Sequence, residues 1–379
     1  MKKIGFSIVF AALLGFTAFK VYQPYQYDIN ELRVLYSSGD TAKWPAPFLD
    51  STLVQDFEDI GVVPEVVFPE ENLYSETKKE LGRTLFFDPR LSRSGQIACA
   101  SCHDPELGWG DGRRVSYGHD RQQGKRNAMT LFYVGLAQPL FWDGRAATLE
   151  SQVRFPVEDS LEMNFHLDLA VKRIQHIQGY RSLFKEAFLD TVITEKRIRK
   201  AIATFERTIK GRTSRFDRFV QGDSTQLTDE EVWGMHLFRT KARCINCHNT
   251  GYFSDNHFHN TGLSYYGRPF EDLGLYNITG KKEDVGKFRT GTLREIGQTG
   301  PYMHNGLFLD LDEVINAYNG GMLRPRRKKS QEKDTLFPVT SPLLKKLHLT
   351  GEEKEALKAF LGTLTTAPFI QRIPDLPAK

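Results

Sequence analysis

The stretches CASCH (99–103) and CINCH (244–248) take up all four cysteines of the chain, and each pair runs straight into a histidine. Cysteines at i and i+3 lie on one face of a helical turn, where both sulfurs can add to the two vinyl groups of one haem. The next residue then points an imidazole at the iron from the same side. The alternatives ask for features this chain lacks. A shared Cys₄ zinc site would join knuckles 145 residues apart and leave both histidines without a purpose. A redox CxxC belongs with a βαβ pattern, which is absent here. Disulfide staples are not needed by 379 residues, 40% of them hydrophobic, which can bury cores without them. The expectation is two covalent c-type haems, held by Cys99, Cys102 and His103 and by Cys244, Cys247 and His248.

A formal charge of +4 gives no electrostatic reason to expect nucleic acid as a partner. The N-terminus is built for export: two lysines precede an apolar run from Ile4 to Phe19, closed by Lys20. No good small-x-small cleavage site follows, so residues 1–22 read either as a signal peptide or as an uncleaved inner-membrane anchor. The remainder is then periplasmic. Residues 23–74 are mixed and proline-containing and read as an extended arm. Helical spacing begins at Ser75 and returns at 169–188 and 195–209. Capping boxes at Thr228–Glu231 and Thr350–Glu353 open two further helices. No alternating run suggests a substantial sheet, and Asp104 to Gln138 has no helical rhythm. The chain therefore reads as all-α, with one haem module over 75–215 and a second over 225–345. The boundary falls in Gly211–Thr228, and a C-terminal helix and tail occupy 346–379. A weak repeat relates the modules: Gly108, Trp109 and Asp111 follow His103 as Gly251, Phe253 and Asp255 follow His248.

Seven stretches, LGRTLFFDPRLS (81–92), CASCHDP (99–105), RNAMTL (126–131), FWDGRAATLESQ (141–152), LEM (161–163), KFRTGTLR (287–294) and TGPYMHNG (299–306), resemble the bacterial di-haem cytochrome c peroxidase family, which includes MauG-type enzymes. The resemblance runs from about Leu81 to about Tyr318. It implies two tandem cytochrome c-like domains, a peroxidatic haem on His103, and Trp142 as the tryptophan between the haems. Glu162 matches the distal acid/base and Gln152 a distal-pocket glutamine. Calcium is implied through the Asn127 side chain and the Thr299 and Pro301 carbonyls, oxygen ligands suited to a hard cation. A carboxylate at Glu162 can take a proton from one peroxide oxygen and return it to the other, so that water leaves as the O–O bond breaks.

Two positions point in opposite directions. His119 matches the loop histidine that caps the resting peroxidatic haem in many relatives; as bare sequence it is an ordinary loop histidine. Tyr318, in LDEVINAY (311–318), falls where most family peroxidases place a methionine ligand to the second haem. Tyrosine there resembles the MauG type, with Met322 and Met303 as the other ligands on offer. The resemblance thus implies hydrogen peroxide as substrate, with electrons from a small cytochrome c or copper protein, or from side chains of a partner protein. It leaves room for a membrane tether and a homodimer. A non-catalytic di-haem electron carrier is the reading from another class. The run Arg324-Pro325-Arg326-Arg327-Lys328-Lys329 reads as a solvated loop or as a docking site for an acidic donor.

Overall fold

Eight of the twelve described α-helices begin where the chain supplies a side-chain oxygen to an otherwise unsatisfied first turn. The computed structural model describes residues 27–368 and 371–378, apart from 54 and 56. The export segment or anchor read at residues 1–22 lies outside the described residues. None of the described helices is long and apolar enough to cross a membrane. Residues 23–74, read as an extended arm, carry α1 (Ile29–Tyr36), capped by Asp28. Its eight residues are too few to show a sustained period, yet Leu32 and Tyr36 are fully buried against the C-terminal half.

The first half is built from α2 (Glu76–Phe86), the short α3 (Leu149–Gln152) and α4 (Arg154–Glu158), α5 (Leu167–Gln175), α6 (Gln178–Phe188) and α7 (Glu195–Glu206). The helical stretch read as continuous over 169–188 is two helices. Its apolar period runs through the junction, but Ile177 turns to an extended backbone between them. The second half holds α8 (Arg215–Val220), α9 (Asp229–Arg239), α10 (Tyr276–Thr279), α11 (Leu311–Asn319) and α12 (Gly351–Gly362). Helix α8 occupies the stretch read as a boundary, because Phe216, Phe219 and Val220 give it a buried face. Both expected capping boxes form: Thr228 with Glu231 at α9, and Thr350 with Glu353 at α12. The described strands are one two-residue antiparallel pair, β1 (Phe258–His259) with β2 (Phe288–Arg289).

Each half is organised by one helix crossing, and the two crossings match. Where α2 meets α7, a Cβ on Gly82 would lie 1.9 Å from the Ala201 carbonyl oxygen; where α9 meets α12, one on Gly234 would lie 1.9 Å from that of Ala356. Only a residue without a side chain permits so close an approach. One turn on from each contact point, Phe86 meets Phe205 and Phe238 meets Phe360, both at 5.3 Å between ring centroids. A third ring completes each cluster, Trp109 at 5.9 Å from Phe86 and Phe253 at 5.9 Å from Phe238. The weak repeat in the sequence is therefore a repeat of packing.

This crossing makes a signed prediction. Gly→Ala within a helix ordinarily stabilises by about 0.5–1 kcal/mol. Gly234→Ala should instead destabilise by about 1–3 kcal/mol, the cost of overpacking, seen as a lower denaturant midpoint. A raised midpoint would mean that the helices part freely.

Candidate functional site

The halves enclose one cavity of about 1710 Å³, larger than the roughly 300–1,000 Å³ of an ordinary small-molecule site. Cys99, Cys102 and His103 line it from the first half, and Cys244, Cys247 and His248 from the second. Both stretches fold alike. Each opens on a single 3₁₀ turn, Cys99–Ser101 and Cys244–Asn246. The histidine N–H then reaches back to the first cysteine's carbonyl, at 3.0 Å for His103 and 2.9 Å for His248. The imidazoles are oriented by the third ring of each aromatic cluster: His103 Nδ1 lies 3.0 Å from the Trp109 carbonyl oxygen, and His248 Nδ1 lies 3.1 Å from that of Phe253. A carbonyl can only accept, so Nδ1 carries the hydrogen and the Nε2 lone pair is left for a metal. Trp109 and Phe253 present these carbonyls from left-handed backbone, at φ of 58° and 57°.

These residues fit a pair of covalent haems. All four thiols are free. Burial lowers the proton affinity of His103 and His248, which keeps both rings in the neutral, ligating form.

On the first side, Gln152 and Glu162 line the same cavity as His103. Burial pushes the Glu162 carboxyl up to about 7; Asp159 adds to the rise and Arg145 opposes it. His119 is tied to Glu162 through the backbone, its N–H donating to the Glu162 carbonyl at 2.7 Å. The loop reaches the cavity wall at Gly118, while His119 is not among the lining residues. Its Nδ1 is buried without a hydrogen-bond partner, and its Nε2 lies 3.4 Å from Asp120 Oδ2.

Trp142, Asn127, Thr299 and Pro301 also line the cavity. The Trp142 indole N–H donates to the Asn127 carbonyl at 2.9 Å, and Asn127 Nδ2 donates to the Arg113 carbonyl at 2.8 Å. The Trp142 loop is anchored by a group that sequence reading passed over: Arg126 pairs with Asp143 and with Asp272, each at 2.6 Å.

On the second side, Tyr318 and Met303 line the cavity and the buried Met322 does not. Burial raises the Tyr318 phenol far above its ordinary range, and the Cys247 and Cys244 sulfurs stand close enough to raise it further. Donor atoms of Cys247, Asp255 and His259 cluster within 4.8 Å beside the second CxxCH stretch. Two further buried groups were missed in the sequence. His304 lies against Phe288, ring centroids 3.5 Å apart. Glu206 lines the first side at the end of α7. Its signal was present, since Glu206 falls four and eight residues after Ile202 and Ile198, on the apolar stripe of its helix.

A family model described as di-haem cytochrome c peroxidase matches residues 76–225. The methylamine utilization protein MauG of Methylophilus methylotrophus is 36% identical over 313 residues, covering 82% of this chain and 88% of that protein. The cytochrome-c peroxidase IdrP1 of Pseudomonas sp. is 34% identical over 350 residues, covering 84% and 89%. Among solved structures, a MauG-like protein associated with microbial copper homeostasis superimposes with a TM-score of 0.71 at 35% identity, covering 80% of this chain and 93% of that one.

Proposed function

The chain belongs to the di-haem cytochrome c peroxidase family, whose members are oxidoreductases acting on peroxide, and from that premise we propose that it reduces hydrogen peroxide to water at the His103 side of the cavity. Two electrons and two protons are consumed for each peroxide, giving two waters. The observation that carries this reading is Glu162: a half-buried carboxyl in the same cavity as His103, poised near neutral pH. His103 and His248 would each ligate an iron, with Cys99 and Cys102, and Cys244 and Cys247, as the thioether anchors. When bound, the haems supply an iron that takes peroxide and a store for electrons.

Glu162, as carboxylate, takes a proton from one peroxide oxygen and gives it to the other. Gln152, which lines the same cavity, orients the peroxide by hydrogen bonding, and Trp142 carries electrons between the two sides. Calcium at Asn127 Oδ1 and the Thr299 and Pro301 carbonyls would pin the Trp142 loop, with water completing the shell. We place the enzyme in the periplasm, where a small cytochrome c or copper protein supplies the electrons.

One observation favours a second reading, in which the electrons come from tryptophan or tyrosine side chains of a partner protein. Tyr318 lies in the second pocket beside both cysteines. A tyrosinate ligand would hold that haem too low in potential for easy reduction by a high-potential cytochrome. EPR of the fully oxidised and half-reduced protein, each with peroxide, separates the two. Two low-spin signals at rest, with a high-spin site and peroxide reactivity only after one-electron reduction, support the cytochrome-fed peroxidase with His119 as resting cap. A high-spin signal that reacts at once supports oxidation of a partner protein. Two low-spin sites that never open would defeat both.

A further inference from the structure

Glu206 is the last residue of α7 and is only 5% exposed. Its Oε2 is buried with no hydrogen-bond partner, although the side chain lines the cavity. The neighbouring Arg207 does not satisfy it: both Arg207 Nη atoms are spent on Glu150, at 2.6 and 2.9 Å. After burial itself, Glu206 is the largest influence raising the Cys99 thiol, ahead of Cys102 and Glu162. The carboxyl therefore lies on the Cys99 side of the cavity.

A buried carboxyl without a hydrogen-bond donor is costly to ionise. Burial pushes Glu206 up to about 8; Arg207 opposes the rise and Glu150 adds to it. The other titratable groups lining this side of the cavity are His103, Arg114, Lys125, Arg126, Arg145, Asp159 and Glu162, and Asp111 and Arg113 are felt from behind it at Cys102. An electron added close by raises the carboxyl's proton affinity, and an electron removed lowers it.

We infer that Glu206 is a redox-linked proton site of the first haem module, taking up one proton when that haem gains one electron and releasing it when the electron leaves. The electron comes from the external donor, the proton comes from solvent, and it rests on the Glu206 carboxylate, so charge in the pocket is balanced. The inference rests on covalent haem at Cys99 and Cys102. It does not depend on where turnover electrons originate.

The test is a spectroelectrochemical titration of the haem-loaded full chain across pH, with redox-difference infrared spectra in the carboxylic-acid region. In the wild type, the midpoint of the first haem should fall as pH rises through about 8, by up to about 59 mV per pH unit, the one-electron equivalent of a tenfold change. Glu206→Gln should lose the slope above pH 8 and one carboxylic-acid band. A wild-type midpoint flat across this range, or a Glu206→Gln protein with the wild-type slope and bands, overturns the inference. Should the Gln variant fail to take up haem, Glu206→Asp decides: a displaced acid band supports the assignment, and an unmoved one overturns it. Wild-type protein whose denatured chain retains no haem would sink the haem assignment itself, and this inference with it.

Discussion

Glu162→Gln should lower kcat/KM for hydrogen peroxide by about 10²–10⁴-fold, the usual worth of a positioned acid–base group, while both haems remain attached and their resting spectra stay unchanged. The amide matches the carboxylate in size and still lines the cavity, but it cannot accept a proton. The wild-type profile carries its own sign. Burial lifts the carboxyl from an ordinary 4.5 to about 7, so below that pH it is neutral and already holds the proton it must take. Peroxide reactivity should therefore rise with pH through about 7 and level off above it. Arg145 opposes the lift, so Arg145→Gln should move the rising limb to higher pH without abolishing it. Wild-type rates in Glu162→Gln, or a profile flat across neutrality, would remove Glu162 from the chemistry.

Tyr318→Met should raise the potential of the second haem, so that a high-potential cytochrome c reduces it more readily than it reduces the wild type. Helix α11 carries Tyr318 into the cavity, capped at its start by Asp310, whose side chain accepts from the Glu313 N–H at 2.8 Å. Buried as it is, the phenol keeps its proton unless a cation replaces it, and a ferric iron is such a cation. A tyrosinate favours the oxidised metal; a thioether gives that advantage up. The variant should lose tyrosinate-to-iron absorption and acquire a methionine-ligated low-spin spectrum. A second-haem spectrum identical in Tyr318→Met and wild type would exclude Tyr318 as the ligand. Met303 would then take its place, as the cavity-lining methionine on that side.

The pairing of these variants is informative about electron flow. If Tyr318→Met lets a cytochrome drive peroxide reduction that the wild type performs only with a protein substrate, the second ligand sets where electrons come from. Glu162→Gln should silence turnover with either electron source, because the proton transfer is common to both.

Local features were legible because their causes are local. The caps at Ser75, Thr194, Thr228 and Thr350 lie within three residues of the N–H groups they satisfy. Helix α1 escaped notice because eight residues show little periodicity, and the face it buries depends on α9, some two hundred residues later. The matched crossings at Gly82 and Gly234 do leave a trace, G-x-x-L-F in both α2 and α9. That trace gains meaning only once Ala201 and Ala356 are seen against the glycines.

By itself the sequence determined that two sulfurs and an imidazole converge twice in a pattern that fits haem attachment, because residues at i, i+3 and i+4 need only one turn of backbone to meet. Its motifs likewise determined the family. Tertiary structure decided what surrounds those groups: that both CxxCH stretches open on one cavity, that Tyr318 enters it and Met322 does not, and that His119 is held by the Glu162 backbone. It alone decided the titration of Glu162 and Glu206, since a carboxyl's proton affinity is set by burial and by charges that may be distant in the chain.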